Sequence, residues 1–142
     1  MKFQIKVDDR TIKCAMTGKT ARIYREQFQR DLLFDISEGF GRVIESYAEF
    51  SNSMPEEATD DAFLGIVIRA VSPVVLERML WASIASADEN VLAFNDWLDQ
   101  IDDYENAMAA AATAFLTMRG SIKPIESIEV NDEQDDEIKK KA

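Results

Sequence analysis

Ser72-Pro73-Val74-Val75-Leu76-Glu77-Arg78-Met79-Leu80-Trp81-Ala82-Ser83-Ile84-Ala85-Ser86-Ala87 is the stretch on which the reading of the fold turns. Serine followed by proline has the form of a helix N-cap and first helical position, where a missing N–H costs nothing. From Val74 to Ala87 only Glu77 and Arg78 are charged, and Leu76, Met79, Leu80, Trp81 and Ile84 cover more than one helical face. A helix that is apolar on several sides is surrounded by other elements. This segment is therefore expected to be the most buried helix of a mainly α protein.

The neighbouring segments supply elements to surround it. Upstream, Phe63, Leu64, Ile66, Val67 and Val71 form a helical pattern for which Thr59 and Asp60 are suitable caps. Downstream, Phe94, Trp97, Leu98 and Ile101 fall at i, i+3, i+4 and i+7, with Asn95, Asp96, Asp99 and Gln100 towards water. Burial of both aromatic rings should anchor that piece. Asp102 and Glu105 have the spacing of a capping box, opening a helix with Tyr104, Met108, Ala111, Phe115 and Met118 on one stripe and Gly120 able to end it. The alanines at 107, 109–112 and 114 give that helix a smooth surface that another helix can approach closely, within the fold or in self-association.

Towards the N-terminus, Leu32, Leu33, Ile36, Phe40, Val43, Ile44 and Tyr47 predict one helix, with Gly39 and Gly41 able to bend or divide it. Ser51 to Glu57 combines turn formers with Pro55 and reads as a loop. Thr17 is placed to cap a helix through Thr20 to Arg30, with Ala21, Tyr24 and Phe28 on one stripe and Arg22, Arg25, Glu26 and Gln29 on the other. Before it, Phe3, Ile5 and Val7 alternate with polar residues, and Thr11 to Met16 alternates again after Asp8-Asp9-Arg10, predicting a β-hairpin over 3–16. Two strands alone are marginal in water, so the hairpin must lean on the helices or join a partner's sheet edge. The expected whole is a single helical domain over 1–123, with five to six helices and a short N-terminal hairpin. A disordered acidic tail over 124–142 follows, because its Asp, Glu and Lys surround only isolated isoleucines.

Composition narrows the chemistry. The 142 residues hold 46% apolar and 13 aromatic side chains, enough for a core without disulfides or metal. There is no histidine and only one cysteine, Cys14, which removes the usual ligands of zinc sites and the base of catalytic triads. Met1 to Arg10 lacks the apolar centre of a signal peptide, so a reducing cytoplasm is expected. Residues 107–118, within the longest uncharged run, fall far short of the roughly 20 apolar residues needed to span a membrane. Of the net charge of −11, residues 1–30 contribute +5 and the remainder −16, a field that repels nucleic acid.

The few polar groupings read as structure before chemistry. Asp96, Asp99, Asp102 and Asp103 could gather around a cation, but a solvated helix face and a helix cap explain them. Residues 132–137 have calcium-like composition without the glycine and ligand spacing of an EF-hand loop. Gly39-Phe40-Gly41 lacks the preceding strand and third glycine of a phosphate cradle, and Cys14 has no activating partner beyond Lys13. Neither a cofactor, a metal nor a catalytic residue is expected. A protein-binding role is the favoured reading, for which Arg22, Tyr24, Arg25, Phe28 and Arg30, joined by Trp97 and by Ile125 and Ile128 of the tail, are the candidate partner contacts.

One family resemblance sharpens this. Residues 20–28, Thr-Ala-Arg-Ile-Tyr-Arg-Glu-Gln-Phe, followed by Asp31-Leu32, then Leu76-Glu77-Arg78-Met79-Leu80-Trp81-Ala82, Ala87-Asp88, and residues 94–101 with Tyr104-Glu105, resemble in order the tail assembly chaperones of long-tailed phages and prophages of Gram-positive bacteria. The resemblance covers residues 20–105. It implies a non-enzymatic factor of the host cytoplasm, absent from the mature virion, that binds the tape measure protein and the tail tube protein during tail assembly. A rival is an acidic DNA mimic or inhibitor occupying a basic protein groove. A small metal-dependent enzyme built on the acidic helix faces is a third.

Overall fold

In the computed structural model, residues 1–53 and 60–120 are described, and they form a two-stranded antiparallel hairpin followed by six helices. Strand β1 (Lys2–Val7) pairs with β2 (Arg10–Ala15) through the Asp8-Asp9 turn, whose φ values of 54° and 66° are the left-handed pair that a two-residue hairpin turn requires. Aspartate tolerates that conformation better than most side chains, and the right-handed twist of the strands demands it. Ile5, Val7 and Cys14 are buried on the inner face, while Gln4, Lys6, Thr11 and Lys13 look outward.

Helix α1 (Gly18–Phe28) opens on the expected Thr17 cap. The Thr17 hydroxyl accepts from the Lys19 N–H (3.2 Å), and the Thr20 hydroxyl reaches back to the Thr17 N–H (3.0 Å). The helix stops two residues short of Arg30 because Gln29 turns left-handed (φ 59°) and its N–H closes on the Arg25 carbonyl. Helix α2 (Leu32–Ser53) is continuous through both glycines and includes Ser51 to Ser53, which the sequence had assigned to a loop; Met54 to Glu57 lie outside the described residues. Gly39 does not divide it. A Cβ there would lie 3.3 Å from the Phe115 ring, so the glycine lets α6 close onto α2.

Helix α3 (Asp60–Ala70) is followed by α4 (Pro73–Ala87), capped by Ser72, whose hydroxyl accepts from the Val74 N–H (3.2 Å). As expected, α4 is the most enclosed element, touching α1, α6, β2 and α5, with Leu76, Met79, Leu80 and Ala82 fully buried. Short α5 (Phe94–Asp99) buries no residue completely; Phe94 and Trp97 are half-buried. Helix α6 (Tyr104–Gly120) is capped one residue later than expected, by Asp103, whose carboxylate accepts from the Asn106 N–H (3.1 Å). Its alanines face inward: Ala107, Ala110, Ala111, Ala112 and Ala114 are buried against α4, α3, α2 and β1. Small side chains admit four neighbours around one helix, which is why this alanine run is part of the core. The sequence-read tail lies outside the described residues, and among the described helices none is long and apolar enough to cross a membrane.

Candidate protein-binding site

The α1–α2 corner is built around a charged knot. Asp35 is almost completely buried, and the Tyr24 hydroxyl donates to its Oδ2 at 2.7 Å while Arg30 Nε lies 3.1 Å and 3.2 Å from its two oxygens. Burial pushes the Asp35 carboxyl up, but the hydrogen bonds from Arg30 and Tyr24 outweigh it and hold the group below its usual value. Burial and the adjoining carboxylate both drive the Tyr24 phenol strongly upward, so it remains a donor at every ordinary pH. Tyr24, read from the sequence as a partner contact, is therefore a core residue: it has no exposed surface and its hydroxyl is committed to Asp35. A stripe position cannot announce which neighbour will cover it.

The basic face read on this helix is divided in the same way. Arg30 is 44% exposed in its side chain but clamps Asp35, and Arg22 pairs with Glu26 one turn on (3.1 Å). Arg25 is exposed and forms no ion pair among the described residues. Phe28 lies half-buried beneath the Arg78 guanidinium, 5.2 Å from its ring centroid, and meets Tyr24, Trp81 and Phe94 edge-on. Phe94 stacks on Trp97, and Trp81 Nε1 donates to the Leu92 carbonyl at 2.9 Å. Phe28 and Trp97 thus belong to one aromatic cluster joining α1, α4 and α5. Trp97 also lines a hollow of about 250 Å³ with Ile12, Ile84, Val91 and Ile101. Ile125 and Ile128 lie outside the described residues.

An exposed apolar strip lies elsewhere, on α2, and sequence reading did not separate it from the core. At about 100° per residue, Leu32, Ile36, Gly39 and Val43 share one stripe; Leu33, Phe40, Ile44 and Tyr47 share a second, displaced by about 80°. The first stripe is buried. On the second, Leu33 and Ile44 are 49% and 55% exposed and Tyr47 42%. Its flanks rest on the fold: Arg119 sits 4.3 Å over the Phe40 ring, and Tyr47 meets Phe63 of α3 edge-on at 5.9 Å. The far side carries Glu38 and Arg42, paired at 3.5 Å, with Glu45 and Glu49. A helix facing a single core needs only one apolar stripe. Seven apolar positions spread over two stripes was the available signal.

The titratable groups offer little else. Among the described residues no group of three or more His, Cys, Asp or Glu side chains is arranged to hold a metal ion. Cys14 is buried, and burial raises its thiol despite a hydrogen bond with Ser83, leaving a poor nucleophile. Tyr104 donates to Glu77, and burial with that carboxylate lifts its phenol to about 12. No family model, curated protein or solved structure matches the chain.

Proposed function

We propose that the protein acts by binding other proteins, as a tail assembly chaperone that holds the tape measure protein, the tail tube protein, or both before they enter a growing phage tail. The observation that supports this is the second apolar stripe of α2. A holding factor needs apolar surface that a partner segment can cover and leave, on an element whose other side carries charge that keeps the unloaded protein in solution. Leu33, Ile44 and Tyr47, backed by Glu38, Glu45 and Glu49, have that character. The residue order that resembles the chaperone family, from Thr20 to Glu105, supplies the identity of the cargo. On this reading the site of action is the host cytoplasm, and the finished virion lacks the protein.

The test is co-expression with the tape measure protein of the same phage or prophage, with and without the Leu33→Gln/Ile44→Gln double substitution. The expected result is a soluble complex with the unaltered chain and loss of the partner's solubility with the double variant. Tape measure protein that is equally insoluble in both, and separates cleanly, would sink the proposal. Strongly salt-sensitive binding to a basic nucleic-acid enzyme would favour the acidic-inhibitor reading in its place.

A further inference from the structure

The inner face of the hairpin is accounted for, resting on α4 and α6, but the outer edge of β1 is not. The Met1 amino group donates to the Met16 carbonyl (3.0 Å), and the Met16 N–H donates back to the Met1 carbonyl (2.7 Å), which makes residues 1 and 16 a bonded pair. Bonded pairs alternate along an antiparallel ladder, so with the observed register Phe3/Cys14, Ile5/Ile12 and Val7/Arg10 are bonded too. The N–H and C=O groups of Lys2, Gln4 and Lys6 then point away from β2. No other hydrogen bond uses them among the described residues. The opposite edge is shorter, because the Ala15 carbonyl already accepts from the Thr20 hydroxyl at 2.8 Å.

Beside β1 lies an open hollow of about 500 Å³, with Gln4, Ile5 and Lys6 on one side and Leu64, Ala110 and Thr113 of α3 and α6 on the other. From this geometry we infer that β1 accepts a third strand: an extended segment of a partner protein in which acidic and apolar residues alternate. The partner's backbone satisfies the free groups of Lys2, Gln4 and Lys6, as in strand addition to any open sheet edge. Its outward residues sit across from those three side chains, where carboxylates meet Lys2 and Lys6. Its intervening residues face the side occupied by Phe3, Ile5 and Val7, above Leu64 and Ala110 in the hollow.

Charge selects this occupant over a second copy of the chain. A two-fold pairing of β1 with itself about Gln4 places Lys2 opposite Lys6 twice, and like charges directly across a ladder destabilise it. Lys2, Lys6, Arg10 and Lys13 outnumber the two turn aspartates, Asp8 and Asp9, so the hairpin is locally basic on a chain of net charge −11, and both charged positions of the open β1 edge are lysines. The site is separate from the α2 stripe and stands or falls independently of the chaperone reading.

The test uses the full chain, isotope-labelled, and the blocked hexapeptide Glu-Val-Glu-Val-Glu-Val, with Lys-Val-Lys-Val-Lys-Val as its control. Peptide at ten times its dissociation constant should slow amide exchange at Lys2, Gln4 and Lys6 by about tenfold, and the lysine peptide should not. Gln4→Pro deletes an outward donor while leaving every β1–β2 bond in place, and should weaken binding at least tenfold. Lys2→Glu/Lys6→Glu should reverse the preference between the two peptides. Binding unchanged by both substitutions, or shifts that fall on α2 in place of β1, would overturn the inference. So would slow exchange at the three amides before any peptide is added, which would mean that the edge is already filled by the chain itself or by a second copy.

Discussion

Helices α4 and α2 are both rich in apolar side chains, yet they spend them differently. On α4 the apolar residues run round the helix and neighbours meet most of them, so that Leu76, Met79 and Leu80 have no exposed surface while Val74 in the first turn stays open. On α2 one stripe is buried and an adjacent one faces outward at Leu33 and Ile44. Apolar content thus does not report role. The number of neighbours a helix acquires does, and α4 owes its position to alanines on α6 and to the small approach distance they allow.

The largest effect should come from attacking the enclosed helix. Leu76→Ala is expected to cost about 3 kcal/mol by loss of transfer energy and creation of a cavity, read as a lowered urea midpoint. The double substitution at Leu33 and Ile44 should stay within about 0.5 kcal/mol of the unaltered chain. Equal losses at both places would erase the contrast and show that the α2 stripe is structural.

The corner that anchors α2 comes next. Tyr24→Phe removes a donor from a buried carboxylate and should cost about 2 kcal/mol at neutral pH, the value of a hydrogen bond to a charged group. The folded protein holds the Asp35 carboxyl below its usual value, so its contribution is present above that value and is lost as pH falls through the lower, folded one. The difference between Tyr24→Phe and the unaltered chain should therefore shrink below about pH 4. A gap that stays constant down to pH 2 in urea titrations would assign the cost of Tyr24→Phe to packing alone.

The smallest effect separates two glycines of one helix. Gly41 has open space where a Cβ would go, so Gly41→Ala should stabilise by about 0.5–1 kcal/mol through helix propensity. At Gly39 the same change drives a methyl against Phe115 and Val71, both fully enclosed, and the expected sign is the opposite. Thermal midpoints of the two variants decide it. Matching increases would mean that α6 has room to retreat.

Much of the fold was legible in the sequence, for reasons that can be named. Alternation at Phe3, Ile5 and Val7, the Ser72-Pro73 start and the near absence of charge from 74 to 87 are local signals that packing did not need to override. What was not legible depended on neighbours or on near-degenerate choices. Asp102 and Asp103 are adjacent and either can cap, so the boundary of α6 fell one residue off. A left-handed Gln29 has no sequence signature comparable to a glycine, and α1 ended early. Tyr24 was expected at a surface because its stripe was known and its cover, Asp35 with Arg30, was not. The second stripe of α2 was visible as excess width but was merged with the first.

The hydroxyl of Thr20, which accepts the Thr17 N–H and donates to Ala15, also lies 2.8 Å from the Ser86 hydroxyl, 66 positions along the chain. Those few atoms tie the end of the hairpin and the beginning of α1 to the last turn of α4. On the ribosome, therefore, the hairpin must wait, with Cys14 uncovered, until the last turn of α4 has been made. Contacts so distant in sequence exact a large loop-closure entropy before they return anything. Synthesis reaches α6 later still, and only then can its alanines close over α4, so the last described helix to be made completes the enclosure of the most buried one.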